Sequence, residues 1–68
     1  MDNNFGRTLK ELRTERKVGQ VELANAVSVS KGIISLWEHG LREPTLSSLL
    51  RLAEYFSVSL DYLVTGKD

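Results

Sequence analysis

Between Gln20 and Gly40, two short helical segments are separated by only about three residues, Ser28-Val29-Ser30. So short a gap does not suit an ordinary antiparallel helical hairpin. It suits two helices that cross at a steep angle. The segment before the gap carries Leu23, Ala24 and Val27 on one face, and the segment after it carries Ile34, Trp37 and Leu41 at helical spacing. Ser30 stands where an N-cap belongs, and Gly40 stands where a left-handed C′ residue ends a helix.

The flanking sequence is also helical in pattern. A first helix is expected from about Asn4 to Arg16, capped by Asn3 or Asn4, with Phe5, Leu9, Leu12 and Arg16 along a narrow stripe. Val18-Gly19 breaks it. The second helix runs from near Gln20 to near Val27, and the third from Lys31 to about His39. After the turn Arg42-Glu43-Pro44, Thr45 caps a fourth helix over about Leu46 to Phe56. Its apolar arc is wide: Leu46, Leu49, Leu50, Leu52, Ala53 and Phe56. Ser59 caps a short fifth helix containing Leu60, Tyr62, Leu63 and Val64, which Gly66 stops. No strand pattern appears. The expected fold class is all-α, a compact five-helix bundle occupying residues 1–68 as a single domain. At 68 residues the chain buries little surface, so it needs efficient packing or the support of a partner subunit.

Several function classes drop out. The absence of cysteine removes disulfides and thiolate metal sites, and one histidine cannot build a metal centre. There is no glycine-rich phosphate loop, no metal-ligand cluster and no Ser-His-Asp arrangement in recognisable context. The chain is therefore not expected to be an enzyme or to carry a cofactor. No apolar run approaches the ~20 residues of a membrane span, and Met1-Asp2-Asn3-Asn4 has no signal-peptide pattern. A soluble cytoplasmic protein is expected. The net charge is zero, which by itself does not point to nucleic acid. The distribution is polarised, however. Arg7, Lys10, Arg13, Arg16 and Lys17 cluster near the start, and acidic residues outnumber basic ones from Glu43 onward.

At 100° per residue, if Ile34 points inward, Gly32, Ser35, Leu36 and His39 point away, with Lys31 at their flank. This outward face has no carboxylate, as a surface opposite phosphate requires. The run Gln20-x-Glu22-Leu23-Ala24, then Val29-Ser30, then Ile34-Ser35-x-Trp37-Glu38-x-Gly40 and Pro44, resembles the lambda-repressor/Cro-type helix-turn-helix family, also called the XRE family. Leu49-x-x-Leu52-Ala53 and Val58-Ser59-Leu60-Asp61-x-Leu63 resemble that family's last two helices. The likeness covers about residues 5 to 66.

The resemblance implies a sequence-specific binder of double-stranded DNA that regulates transcription. It implies that Gln20 touches the DNA backbone or an adjacent base. Lys31, Gly32, Ser35 and Leu36 would face the groove, and His39 would contact phosphate. Arg13 and Glu38 would form a partly buried ion pair joining the first helix to the third. Arg42 is either a solvated loop residue or a further phosphate contact. The family docks its second motif helix in the major groove. Gly32 and Leu36 replace the usual polar readers and cannot form bidentate bonds to bases, which leaves more to phosphate contacts and DNA shape. Ser28 replaces the usual turn glycine and Gly19 the usual Ser or Thr cap. Leu52, Tyr55, Tyr62 and Val64 are assigned either to peripheral packing or to a homodimer interface. The expectation is a repressor acting as a homodimer on a palindromic operator. Two alternatives stand beside it. One is an antitoxin or another protein-interaction module on the same fold; the other is the DNA-binding part of a longer protein.

Overall fold

The computed structural model describes residues 3–67; Met1, Asp2 and Asp68, the ends of the expected domain, lie outside the described residues. Five helices follow in order: α1 (Phe5–Glu15), α2 (Gln20–Ala26), α3 (Lys31–Glu38), α4 (Leu46–Phe56) and α5 (Leu60–Thr65). No strand occurs among the described residues.

The starts of these helices follow from local chemistry. The Ser30, Thr45 and Ser59 hydroxyls each accept a hydrogen bond from the backbone three residues on. Their donors are the N–H groups of Ile33 (3.2 Å), Ser48 (3.1 Å) and Tyr62 (3.0 Å), so each relieves one orphan donor of the first turn. Gly19 opens α2 without a side-chain cap. At α1 the work is divided. The Asn3 Oδ1 accepts from the Phe5 N–H at 3.0 Å, while Asn4 turns away. The Asn4 N–H donates to the Val64 carbonyl (3.0 Å) and its Nδ2 donates to the Thr65 carbonyl (2.9 Å), tying the entry of α1 to the end of α5.

The helix ends share one device. After α1, α2, α3 and α4, a residue with positive φ reverses the chain: Lys17 (57°), Ser28 (62°), Gly40 (71°) and Ser57 (56°). In each case the next N–H reaches back to a carbonyl five residues earlier. These bonds run from Val18 to Arg13 (2.9 Å), Val29 to Ala24 (2.9 Å), Leu41 to Leu36 (2.9 Å) and Val58 to Ala53 (3.0 Å). This is the Schellman closure. Only one of the four residues is glycine. The other three hold a conformation that costs an L-residue about 1 kcal/mol.

The core draws on every helix: Phe5, Leu9 and Leu12 of α1, Leu23 and Ala24 of α2, Ile34 and Trp37 of α3, Leu52 and Phe56 of α4, and Leu63 of α5, joined by Val27. Phe5 meets Trp37 edge-on, with ring centroids 6.0 Å apart. Gly6 is also buried, because α1 lies directly on the C-terminal carbonyls of α3. A Cβ there would be driven against the Trp37 carbonyl oxygen and would sit 3.0 Å from that of Glu38. At the C-terminus of α4, the Arg16 guanidinium donates to the Phe56 carbonyl at 2.9 Å and lies over the Phe56 ring, a favourable place for a cation.

Three expectations are corrected. Leu52 is not at an interface: it is fully buried, 0% exposed, at the centre of the core. Leu41 does not continue the inward face of α3 and is 75% exposed. The left-handed Gly40 takes the chain off the helical path, so the 100° rotation no longer applies beyond it. The inward arc of α4 is also narrower than its apolar residues suggested. Leu52 and Phe56 are buried and Leu49 and Ala53 half-buried, whereas Leu46 (68%) and Leu50 (52%) face solvent. Among the other residues assigned to an interface, Tyr55 is exposed, and Tyr62 and Val64 are half-buried.

Candidate nucleic-acid interface

The outward side of α3 carries the exposed Lys31, Gly32 and His39, with Ser35 and Leu36 half-buried beside them. Ser30 fixes the start of this helix and Ile34 and Trp37 fix its inner side, so the rotation of the outward face is determined by its cap and its core contacts. Ser35 and His39 lie one turn apart. The His39 Nδ1 lies 2.8 Å from the Ser35 carbonyl, which only accepts, so Nδ1 donates and Nε2 is not used in this bond.

The two flanks of this face differ in chemistry. One flank is polar. Arg13 reaches from α1 and grips Glu38 with both prongs of its guanidinium, Nε to Oε2 at 2.7 Å and Nη2 to Oε1 at 3.1 Å. Its third nitrogen, Nη1, donates to the Val18 carbonyl in the α1–α2 turn at 3.1 Å. The hydrogen bond that Arg13 donates to Glu38 raises the Arg13 pKa above its ordinary value, partly opposed by burial and reinforced by the carboxylate charge. Gln20, at the start of α2, completes the flank: its Nε2 donates to Glu38 Oε1 at 3.0 Å. The Glu38 carboxylate is thus neutralised and fully engaged, so it does not set a bare negative charge beside the outward face.

The other flank is an open groove of about 240 Å³ lined by Val29, Ile33, Trp37, Arg42, Glu43, Thr45 and Ser48. Arg42 therefore stands beside α3, across the apolar groove from its body, and is exposed. The structure sets Gln20 on one flank of the outward face of the third helix and Arg42 on the other. It does not bring Leu52 or Tyr55 to that face. The Gln20–Glu38 contact was missed in the sequence because the two residues lie eighteen positions apart, and only the crossing of α2 over α3 joins them. Among the described residues no group of His, Asp and Glu side chains is placed to hold a metal ion, and no helix is long and apolar enough to cross a membrane.

Comparison with known proteins agrees with this geometry. A helix-turn-helix family model matches residues 9–63. The chain is similar to the HTH-type transcriptional activator BcrR of Enterococcus faecalis, 38% identical over 64 residues, covering 94% of this chain and 31% of the relative. It is similar to the cryptic phage CTXphi transcriptional repressor RstR of Vibrio cholerae, 31% identical over 64 residues, covering 94% of this chain and 58% of that one. The chain thus spans about a third to three fifths of the length of these curated relatives. Among solved structures, the P22 c2 repressor in complex with a synthetic operator superposes with a TM-score of 0.88 at 35% identity, covering 93% of this chain and 96% of that one. With the motif, the five-helix architecture and these likenesses in agreement, the chain belongs to the XRE-type helix-turn-helix family, whose fold is that of DNA-binding transcriptional regulators.

Proposed function

We propose that this chain is a sequence-specific DNA-binding transcriptional repressor that acts as a homodimer on a palindromic operator. The observation that carries this reading is the exposed, carboxylate-free face of α3, built on a fold that superposes closely on a repressor solved with its operator. In this reading α3 lies in the major groove. Lys31 and Arg42 contact phosphates, His39 Nε2 meets a third, and Ser35 and Gln20 reach base edges. Gly32 lets the backbone approach closely, and Leu36 packs on a thymine methyl. The half-sites lie about one helical turn apart, or a multiple of it. Tyr55, Tyr62 and Val64 contribute to the contact between protomers. Arg13 and Glu38 support the motif without catalytic chemistry.

The test is a selection from random duplexes at moderate salt, run beside a measurement of oligomeric mass on the selected site. A palindromic consensus bound by two copies supports the reading; no sequence preference overturns it. One observation favours a second reading, a protein-interaction module. Leu41, Leu46 and Leu50 are exposed leucines in a small chain of zero net charge, and a contiguous apolar patch on a surface marks a partner contact. A stable complex with another protein, together with the absence of sequence preference, would favour this module.

A further inference from the structure

We infer that Glu38 is a positioning residue for base recognition: its carboxylate fixes which way round the Gln20 amide presents its donor and its acceptor. This rests on the DNA-binding reading above and adds a specificity determinant to it.

A glutamine amide on a surface can rotate by half a turn and exchange its oxygen with its nitrogen. Here that exchange is blocked. Nε2 sits 3.0 Å from Glu38 Oε1. A carboxylate only accepts hydrogen bonds, so the flipped amide would set two acceptor oxygens together with no hydrogen between them. The carboxylate cannot swing aside to relieve this. Its side chain is 2% exposed, and both of its oxygens are held by Arg13. Arg13 is itself anchored on the Val18 carbonyl. A continuous chain of bonds therefore runs from the α1–α2 turn through Arg13 and Glu38 to the first residue of α2.

The orientation left to Gln20 has a chemical meaning. One Nε2 hydrogen is spent on Glu38. The other hydrogen and the Oε1 acceptor remain. When Glu38 takes the hydrogen trans to Oε1, the two lie side by side and match an adenine edge, whose amino group donates and whose N7 accepts. They match it in one order only, because Glu38 refuses the reverse. A bare phosphate contact would use the remaining hydrogen alone and leave the fixed acceptor idle, whereas a base edge uses both. The built-in orientation therefore points to a base edge as the partner of Gln20, with adenine as the preferred class.

The experiment compares the wild type, Glu38→Gln, Gln20→Ala and the double variant on the selected operator and on its single-base variants. Glu38→Gln is expected to lose about 10-fold in affinity and to flatten the preference at one base pair, even though it removes a negative charge and so favours binding to any DNA. In the Gln20→Ala background the same change is expected to cost no more than about 2-fold. An equal loss in both backgrounds would mean that Glu38 acts only through the fold, and would overturn the inference. Should Glu38→Gln fail to fold by circular dichroism, Glu38→Asp takes its place in all arms. That change keeps the charge opposite Arg13 while withdrawing the carboxylate from Gln20, and the same outcomes apply. A second arm needs no DNA. By NMR relaxation, the Gln20 side-chain amide is expected to be as rigid as the backbone in the wild type and mobile in Glu38→Asp. Equal mobility in the two proteins would overturn the inference. A selection that returns no operator would overturn the DNA-binding reading and the base assignment with it, while the relaxation arm would still decide whether Glu38 holds Gln20.

Discussion

The C-terminal half of α3 is gripped from three sides, whereas its N-terminal half is held by its own cap and by the buried Ile34. Trp37 is buried against Phe5, Glu38 is clamped by Arg13, and Gly6 brings the backbone of α1 onto the last carbonyls of the helix. At the other end, Ser30 closes the first turn, and Lys31 and Gly32 stand in solvent. The contrast shows how a very small domain holds an exposed helix face in a fixed orientation. The helix is fastened where it meets the protein and left uncluttered where it would meet a groove. The inner side of this eight-residue helix is thereby given to the core in both of its halves, and its outward side is left free.

This division can be broken from the anchored end. Arg13→Ala leaves the Glu38 carboxylate buried without its counter-ion and is expected to cost about 3–5 kcal/mol, read as a fall in the urea midpoint. Gly6→Ala pushes a methyl group into the α3 carbonyls and is expected to cost about 2–3 kcal/mol; a neutral result would show that α1 can slide away. Ser30→Ala removes the cap at the free end and is expected to cost about 1 kcal/mol by thermal unfolding. Ser28→Gly, in the turn between the two motif helices, is expected to stabilise by roughly 0.5–1 kcal/mol, because it relieves the left-handed serine. The smallest effect on stability belongs to Lys31→Ala, expected within about 0.5 kcal/mol of the wild type. Its signature lies in DNA binding, where the slope of log affinity against log salt is expected to fall by roughly one unit. If Lys31→Ala destabilised the fold as much as Ser30→Ala, the separation of anchoring from presentation would fail.

Much of this was readable from the chain. Ser30, Thr45 and Ser59 announce their helices because an N-cap is a local event, complete within four residues. The Arg13–Glu38 pair was expected on the strength of the family resemblance, and the structure places it at 2.7 Å. The misreadings share a cause. In α4, leucines occupy positions 46, 49, 50 and 52, and so dense a pattern fits several rotations of the helix. Only the position of α5 and the rest of the core selects the one that buries Leu52 and exposes Leu50. Gly6 carried no local signal at all. A glycine inside a helix reads as a propensity cost of about 1 kcal/mol until the neighbour pressed against it is known. Gln20 was expected to face DNA, but its bond to Glu38 depends on the crossing of two helices, which local sequence does not encode.

The bonds from Asn4 to Val64 and Thr65 close the backbone into a near-ring. Where the two ends of a fold already touch, the order of its helices along the gene is a choice of starting point, and a circular permutant tests this. Linking Lys67 to Asn3 through a short glycine bridge and opening the exposed segment between Leu41 and Glu43 would give the order α4, α5, α1, α2, α3 with all five helices intact. In that molecule α3 lies at the very end of the chain, where a second module could be attached directly behind it.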